Sequence, residues 1–157
     1  MYTHDTQRGF TLLLAALVAS IVLALGSSIF LIAQKQVTLS SLGRDSQFAF
    51  YAADAAAECA LYWDLRYSYF STTSPAVSPS CDNKPLSVTG IGSAAPYVAE
   101  FRLDFFTDAS GGYCADVTVS KNTSNPLTVI HADGYSVPCA AIDNSARALQ
   151  RSVELHY

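Results

Sequence analysis

The sequence has few charged residues, and a long stretch near the N-terminus has none. Charged side chains make up 14% of the 157 residues, and the formal net charge is -4. The nine Lys and Arg residues form no stripe that could follow a phosphate backbone, so direct nucleic-acid binding is not expected. At this length the chain fits one modest domain and an anchor, because two independent cores would be cramped.

The sequence also lacks the close cysteine pairs of common structural zinc sites. Its four cysteines are Cys59, Cys81, Cys114 and Cys139. Their even number and wide spacing predict disulfides, and therefore an oxidising compartment outside the cytoplasm. Of three possible pairings we favour the sequential one, Cys59 with Cys81 and Cys114 with Cys139, because it closes two short loops, each stabilising by about 3 kcal/mol in the loop-entropy model. The other pairings remain open.

No arrangement of catalytic residues stands out in the sequence. The histidines have no partners at a spacing that indicates catalysis, so we expect neither an enzyme nor a bound cofactor or metal. These histidines are His4, His131 and His156. Three aspartates near one predicted hairpin lack the spacing of a calcium-binding loop, and we expect them to be solvated. These aspartates are Asp104, Asp108 and Asp116.

The uncharged stretch covers residues 10–33, a total of 24 positions. As a helix it would extend roughly 36 Å, which is enough to span a bilayer. It is longer than the apolar region of a secretory signal peptide, about 7 to 15 residues. Arg8 precedes it and indicates a cytoplasmic N-terminus. Gly26, with two serines after it, indicates either a local bend or close helix packing, and both interpretations remain open.

After this stretch, residues 34–70 are predicted to continue the helix in amphipathic form. Apolar side chains recur there at spacings of three or four residues. The predicted apolar face consists of Phe48, Ala52, Ala55, Cys59 and Tyr62 or Trp63. The alanines between Ala52 and Ala60 would let a sheet approach closely, and the helix should stop before Pro75.

The rest of the chain is predicted to form a connecting loop at 71–96 and an antiparallel sheet at 97–157. The loop is rich in Ser, Thr, Pro, Asp and Asn. Polar and apolar residues then alternate in segments separated by turns, which predicts about four strands. These strands are expected at 97–106, 113–121, about 127–137 and 149–157. The predicted fold class is therefore α+β, with a long N-terminal helix packed on a small sheet.

The run Arg8-Gly9-Phe10-Thr11-Leu12-Leu13 resembles the class III signal of the type IV pilin family. The resemblance implies a pilin-like fold and a leader, 1–9, that an intramembrane prepilin peptidase removes after Gly9. It further implies methylation of the new N-terminal Phe10. The apolar helix, which includes Leu14 and Gly26, would then serve as the membrane and filament-core segment. We identify the chain on this basis as resembling a pilin or pseudopilin.

One residue departs from the usual family pattern. The fifth position of the mature chain usually carries Glu, whereas counting from Phe10 places Leu14 there. The chain is therefore more similar to minor or tip pilins and pseudopilins. The resemblance implies a single-pass membrane protein that later enters an extracellular fimbrium or a periplasmic pseudopilus. Adhesion and secretion are among the possible uses of such filaments.

The partners that the resemblance implies are other pilin subunits, the prepilin peptidase, and an inner-membrane assembly platform with its ATPase motor. Membrane lipid would surround the helix before assembly. Two other interpretations remain open: a permanently anchored extracellular binding module, and a major pilin that lacks the usual Glu. A secreted enzyme with an uncleaved anchor is a third, for which no catalytic pocket can be assembled from the sequence.

Overall fold

A computed structural model describes residues 6–71, 77–108 and 111–157, with the backbone alone for 6–9 and 106–108. The chain divides into an N-terminal unit that ends at Leu42 and a head that runs from Gly43 to Tyr157. This division lies within the segment predicted as an amphipathic helix. The head contains the sheet and both disulfides.

One helix, α1, runs from Thr6 to Tyr67. Its apolar half continues through Gly26, where the hydroxyls of Ser27 and Ser28 both donate to the carbonyl oxygen of Ala24 at 2.9 Å. These local bonds satisfy the two hydroxyls within the apolar segment. The helix ends three residues earlier than the predicted boundary at 70.

The head has a four-stranded antiparallel sheet in which sequential strands are neighbours. The numbering begins with two short strands that precede this sheet in the chain, β1 (Ser80–Cys81) and β2 (Lys84–Pro85). The strands of the four-stranded sheet are β3 (Tyr97–Asp108), β4 (Gly111–Lys121), β5 (Thr128–Tyr135) and β6 (Gln150–His156). The coarse prediction of an α+β fold with about four antiparallel strands is confirmed. A short 3₁₀ turn at Cys139–Ala141 interrupts the connection from β5 to β6.

The predicted connecting loop is not entirely irregular. Ser80–Cys81 forms β1 and Lys84–Pro85 forms β2, and the two pair in an antiparallel ribbon around Asp82 and Asn83. Both turn residues have positive φ, a conformation that Asn and Asp tolerate better than most residues. The prediction missed this ribbon because its strands are only two residues long and have no readable alternation.

The core lies between the head portion of α1 and the inner face of the sheet. The helix contributes mainly buried alanines, and the sheet contributes larger apolar side chains. The sheet residues at the centre are Phe101, Leu103, Val117, Val119 and Ile130. Their inward orientation on β3 and β4 agrees with the predicted alternation, because successive side chains of a strand point to opposite faces.

The buried face of the helix agrees with the predicted one only in part. The predicted Ala52 and Trp63 are buried, whereas the predicted Ala55 and Tyr62 are exposed. The prediction rested on spacings of three or four residues, but the helix also buries alanines that this spacing did not select, namely Ala49, Ala53 and Ala56. Their small side chains let the helix backbone approach the sheet, so close backbone packing sets the buried face.

Gly134 on β5 is the point of closest approach. A Cβ there would overlap the carbonyl oxygen of Ala49 and would lie 2.5 Å from the backbone nitrogen of Ala53. Only glycine avoids this overlap without moving one of the two elements. The close approach that the alanine cluster predicts is thus confirmed, with a glycine on the partner strand.

Candidate functional site

The first candidate site is the apolar segment that begins at Phe10. The described part of the chain contains one helix that is long and apolar enough to cross a membrane. The large apolar side chains along 10–33 are exposed, including Leu14 with 53% of its surface accessible. A helix with apolar side chains on every face, which its own chain does not bury, needs an apolar environment that lipid or other protein chains supply.

The residues predicted to undergo processing lie at the start of this segment. The backbone of Gly9 and Phe10 is helical, so the peptide bond between them lies within α1. Residues 1–5 of the predicted leader lie outside the described residues, as do the side chains of 6–9. Because a helical peptide bond is shielded by its neighbours, a peptidase would have to unwind this turn. Gly9 lowers the cost of unwinding, since glycine destabilises a helix interior by roughly 0.5–1 kcal/mol relative to alanine.

The cysteines form the sequential pairs. Cys59 on α1 bonds Cys81 on β1, with 6.2 Å between their Cα atoms. Cys114 on β4 bonds Cys139 in the 3₁₀ turn, with 4.9 Å between their Cα atoms. The first bond fastens the β1–β2 ribbon to the helix, and the second holds the β5–β6 connection against the sheet.

Asp104 lies beside the second disulfide. Its Oδ1 accepts a hydrogen bond of 2.9 Å from the backbone nitrogen of Cys139. The carboxylate and the sulfurs of Cys114 and Cys139 are close together. The sulfurs bond each other, however, and a metal would require thiolates. Asp104 therefore stabilises the start of the 3₁₀ turn.

A buried charge joins the end of α1 to the sheet. Asp64 is only 8% exposed, and its Oδ2 accepts hydrogen bonds of 2.5 Å from both Lys121 Nζ and the Tyr157 hydroxyl. Lys121 also donates to the hydroxyl of Thr128 at 2.9 Å. Burial and the nearby Asp64 carboxylate raise the pKa of Tyr157. Asp64 and Lys121 are 57 positions apart in sequence, so no local spacing indicates this cluster.

Aromatic side chains gather around Trp63, which is buried as predicted. Its indole nitrogen donates to the carbonyl oxygen of Ser80 at 3.0 Å. The ring of Tyr67 lies 4.7 Å from that of Trp63, centroid to centroid, and the ring of Tyr62 lies 5.7 Å away. Tyr62 and Tyr67 are exposed. The cluster therefore has a buried centre and an exposed aromatic rim.

The outer face of the sheet carries paired charges. On β3 and β4, Arg102 makes a bidentate contact with Asp116, of 2.5 Å through Nε and 2.8 Å through Nη2. This contact raises the pKa of Arg102. The pair lies in a shallow concavity of about 440 Å³. Polar residues at its rim include Ser87, Thr89, Glu100 and Thr118.

On β5 and β6 the same face brings together His131, Asp133, Glu154 and His156. Hydrogen bonds with His131 and His156 lower the pKa of Glu154. Burial alone would raise the pKa of Asp133, but hydrogen bonds from Ser152, Gln150 and His131 lower it. From the sequence alone, His131 and His156 have no partners at a spacing that indicates chemistry. The alternation of polar and apolar residues places all four side chains on the polar faces of their strands. Only the register between β5 and β6 brings them together.

We compared the chain with known protein families, curated proteins and solved structures. No protein-family model, no curated protein and no solved structure matches this chain.

Proposed function

We propose that this chain is a structural subunit of a type IV pilus or a related filament, processed after Gly9 and assembled through its apolar helix. Before assembly the helix crosses the inner membrane once, with the leader in the cytoplasm. After assembly the head lies on an extracellular filament or on a periplasmic pseudopilus. Other pilin subunits, the prepilin peptidase, the assembly platform and its ATPase motor are the partners.

The observation that carries this proposal is the exposed apolar helix directly after Arg8-Gly9. The large apolar side chains from Phe10 to Ile32 are exposed, and this half of the helix includes small residues such as Gly26. Lipid and a bundle of identical helices are both apolar, so transfer between them requires little change in apolar burial. Close packing at small residues then decides whether the helix stays in lipid or enters the bundle.

Leu14 favours a minor or tip subunit, or a pseudopilin. A carboxylate in the hydrocarbon interior is costly unless it is paired, so the usual Glu can draw a neighbouring subunit into register. The side chain of Leu14 is aliphatic and makes no such pair. Assembly of this chain therefore depends on apolar packing and on contacts made by the head.

The N-terminus of the native protein tests the proposal. Intact-mass measurement and N-terminal sequencing of purified filaments should find a chain that starts at methylated Phe10. Gly9→Val should block cleavage, because the added side chain would keep the extended backbone from entering a narrow active site that glycine can enter. Gly43→Val, which makes the same substitution in an open position of the same helix, should be processed normally. A native chain that retains Met1 and never enters a filament would refute the proposal.

The exposed rim of the aromatic cluster favours a second candidate, a permanently anchored extracellular binding module. Tyr62 and Tyr67 present exposed rings around the buried Trp63. Exposed aromatic groups mark many interaction surfaces. The same mass measurement distinguishes the two candidates, because an anchored module would keep its first nine residues.

A further inference from the structure

The carboxylate of Asp104 lies beside one of the two disulfides. Asp104 on β3 is the cross-strand partner of Cys114 on β4, and such partners point to the same face of a sheet. Its Oδ1 accepts a hydrogen bond from the backbone nitrogen of Cys139, to which Cys114 is bonded. One carboxylate oxygen and the two sulfurs lie within 4.8 Å of one another. The two strands and the 3₁₀ turn therefore hold a negative charge next to this disulfide.

No ion pair neutralises this carboxylate in the described part of the chain. The ammonium group of Lys84 donates to the backbone carbonyl oxygen of Asp104, at 2.6 Å, and not to its side chain. Asp104 is half-buried and Cys114 is fully buried, so water and salt screen the charge less than they would at an open surface. The charge of Asp104 therefore acts on both sulfurs.

The disulfide between Cys59 and Cys81 has no comparable neighbour. Two acidic residues adjoin it in sequence, Glu58 before Cys59 and Asp82 after Cys81, and both are exposed. Among the residues that the structure describes, no carboxylate oxygen lies within 4.8 Å of both of its sulfurs. Because solvent screens exposed charges, Glu58 and Asp82 should influence this disulfide only weakly.

A thiol reductant opens a disulfide through negatively charged species. Its thiolate attacks one sulfur and forms a mixed disulfide, the original S–S bond breaks, and the other cysteine leaves as a thiolate that takes a proton from water. In a dithiol reductant, the second thiolate then attacks the mixed disulfide, releases the remaining cysteine, and leaves the reductant oxidised to a cyclic disulfide. Each step places negative charge on sulfur. A nearby carboxylate raises the energy of these charged species but not that of the neutral disulfide.

We propose that Asp104 protects the Cys114–Cys139 bond from thiol reductants, which makes Cys59–Cys81 the redox-labile disulfide of the head. A dithiol would therefore release the β1–β2 ribbon from α1 while the β5–β6 connection stays fastened to the sheet. This inference concerns the head alone and does not depend on the filament proposal.

Timed reduction of the full chain in detergent with dithiothreitol tests the proposal. Iodoacetamide traps the free thiols at each time point, and peptide mass spectrometry identifies the alkylated cysteines. Cys59 and Cys81 should be alkylated first. Asp104→Asn removes the charge but keeps an oxygen that can accept from the Cys139 nitrogen. It should speed alkylation of Cys114 and Cys139 by about tenfold and leave the rate at the other pair unchanged.

Two further variants separate charge from geometry. Asp104→Glu keeps the charge and should preserve the slow reduction. Glu100→Gln removes a carboxylate from the same face of β3 and should leave both rates unchanged. In concentrated guanidinium chloride the folded geometry is lost, so Asp104→Asn and the unmodified chain should be reduced at equal rates.

Three results would overturn the proposal. The first is reduction of Cys114–Cys139 before Cys59–Cys81 in the unmodified chain. The second is an unchanged rate in Asp104→Asn. The third is an equal acceleration in Asp104→Asn and Asp104→Glu, which would assign the effect to the geometry of the turn. Circular dichroism checks the fold of each variant, and Asp104→Ser supplies a second uncharged variant if asparagine disturbs the head.

Discussion

At the scale of single residues, Asp64 is the most consequential side chain of the head. It ends the buried face of α1 and accepts hydrogen bonds from Lys121 and Tyr157, which lie at the end of β4 and just after β6. A buried ion pair adds little over an apolar replacement, but removal of one partner leaves a charge without compensation. The cluster therefore makes the junction of helix and sheet sensitive to single substitutions.

We expect Asp64→Ala to lower the free energy of unfolding by about 3 kcal/mol, because it leaves the partly buried Lys121 ammonium without its counter-charge. Denaturant unfolding followed by circular dichroism measures the change. Glu58→Ala, which removes an exposed carboxylate from the same helix, should change stability by no more than about 0.5 kcal/mol. Equal effects of the two substitutions would show that the Asp64 cluster contributes nothing specific.

The raised pKa of Tyr157 predicts that the folded head loses stability at alkaline pH. Its pKa is raised in the folded state, first by burial and then by the hydrogen bond and charge of Asp64. The neutral phenol therefore stabilises the fold fully below the unfolded pKa of about 10, and this contribution is lost as the pH rises toward the folded pKa. Unfolding measured between pH 8 and 12 should show the decline.

Tyr157→Phe should make that decline shallower, because phenylalanine keeps the ring but cannot ionise. Some decline should remain, since burial and the charge of Asp64 also raise the pKa of Tyr97. Tyr51→Phe, on the exposed side of α1, is the control and should leave the pH dependence unchanged. A Tyr157→Phe profile identical to that of the unmodified protein would contradict the prediction.

At the scale of elements, the contact between α1 and β5 depends on Gly134. We expect Gly134→Ala to lower the free energy of unfolding by about 1–3 kcal/mol, because the added methyl group forces the helix and strand apart. Gly43→Ala is the matched control, since open space surrounds that position and alanine favours a helix. Thermal unfolding should therefore shift down for the first variant and not for the second.

The strands were predictable because each long one has a simple alternation. Ala99, Phe101 and Leu103 point inward on β3, as the two-residue period requires. The helix face was less predictable. The spacing of apolar residues favoured Ala55 and Tyr62, but the buried face follows the backbone approach at Gly134, which depends on a contact between distant parts of the sequence.

The outer-face cluster could not be predicted for a related reason. Alternation places His131, Glu154 and His156 on polar faces of their strands, but it does not give the register between β5 and β6. A shift of one residue would move Glu154 to the opposite face from His131. Residues whose chemistry depends on pairing across strands therefore become visible only in the folded chain.

At the scale of the whole molecule, the disulfides and the apolar helix make separable contributions. We expect Cys114→Ser combined with Cys139→Ser to lower the stability of the head by about 2–5 kcal/mol. If the proposed function holds, the double variant should still be cleaved after Gly9, because the proposed processing signal lies in the other unit of the chain. Unfolding of the head and the mass of the N-terminus measure the two effects separately, and loss of cleavage would contradict their independence.

The bond between Cys59 and Cys81 also bears on how damage to the protein would be detected. It closes a loop in which the two cysteines are 22 positions apart in sequence. A protease that hydrolyses one peptide bond inside this loop leaves two polypeptides held together by sulfur. Electrophoresis without reductant would show a single species of nearly unchanged mobility, and dithiothreitol would separate an N-terminal fragment that contains the apolar helix from a C-terminal fragment that contains the sheet.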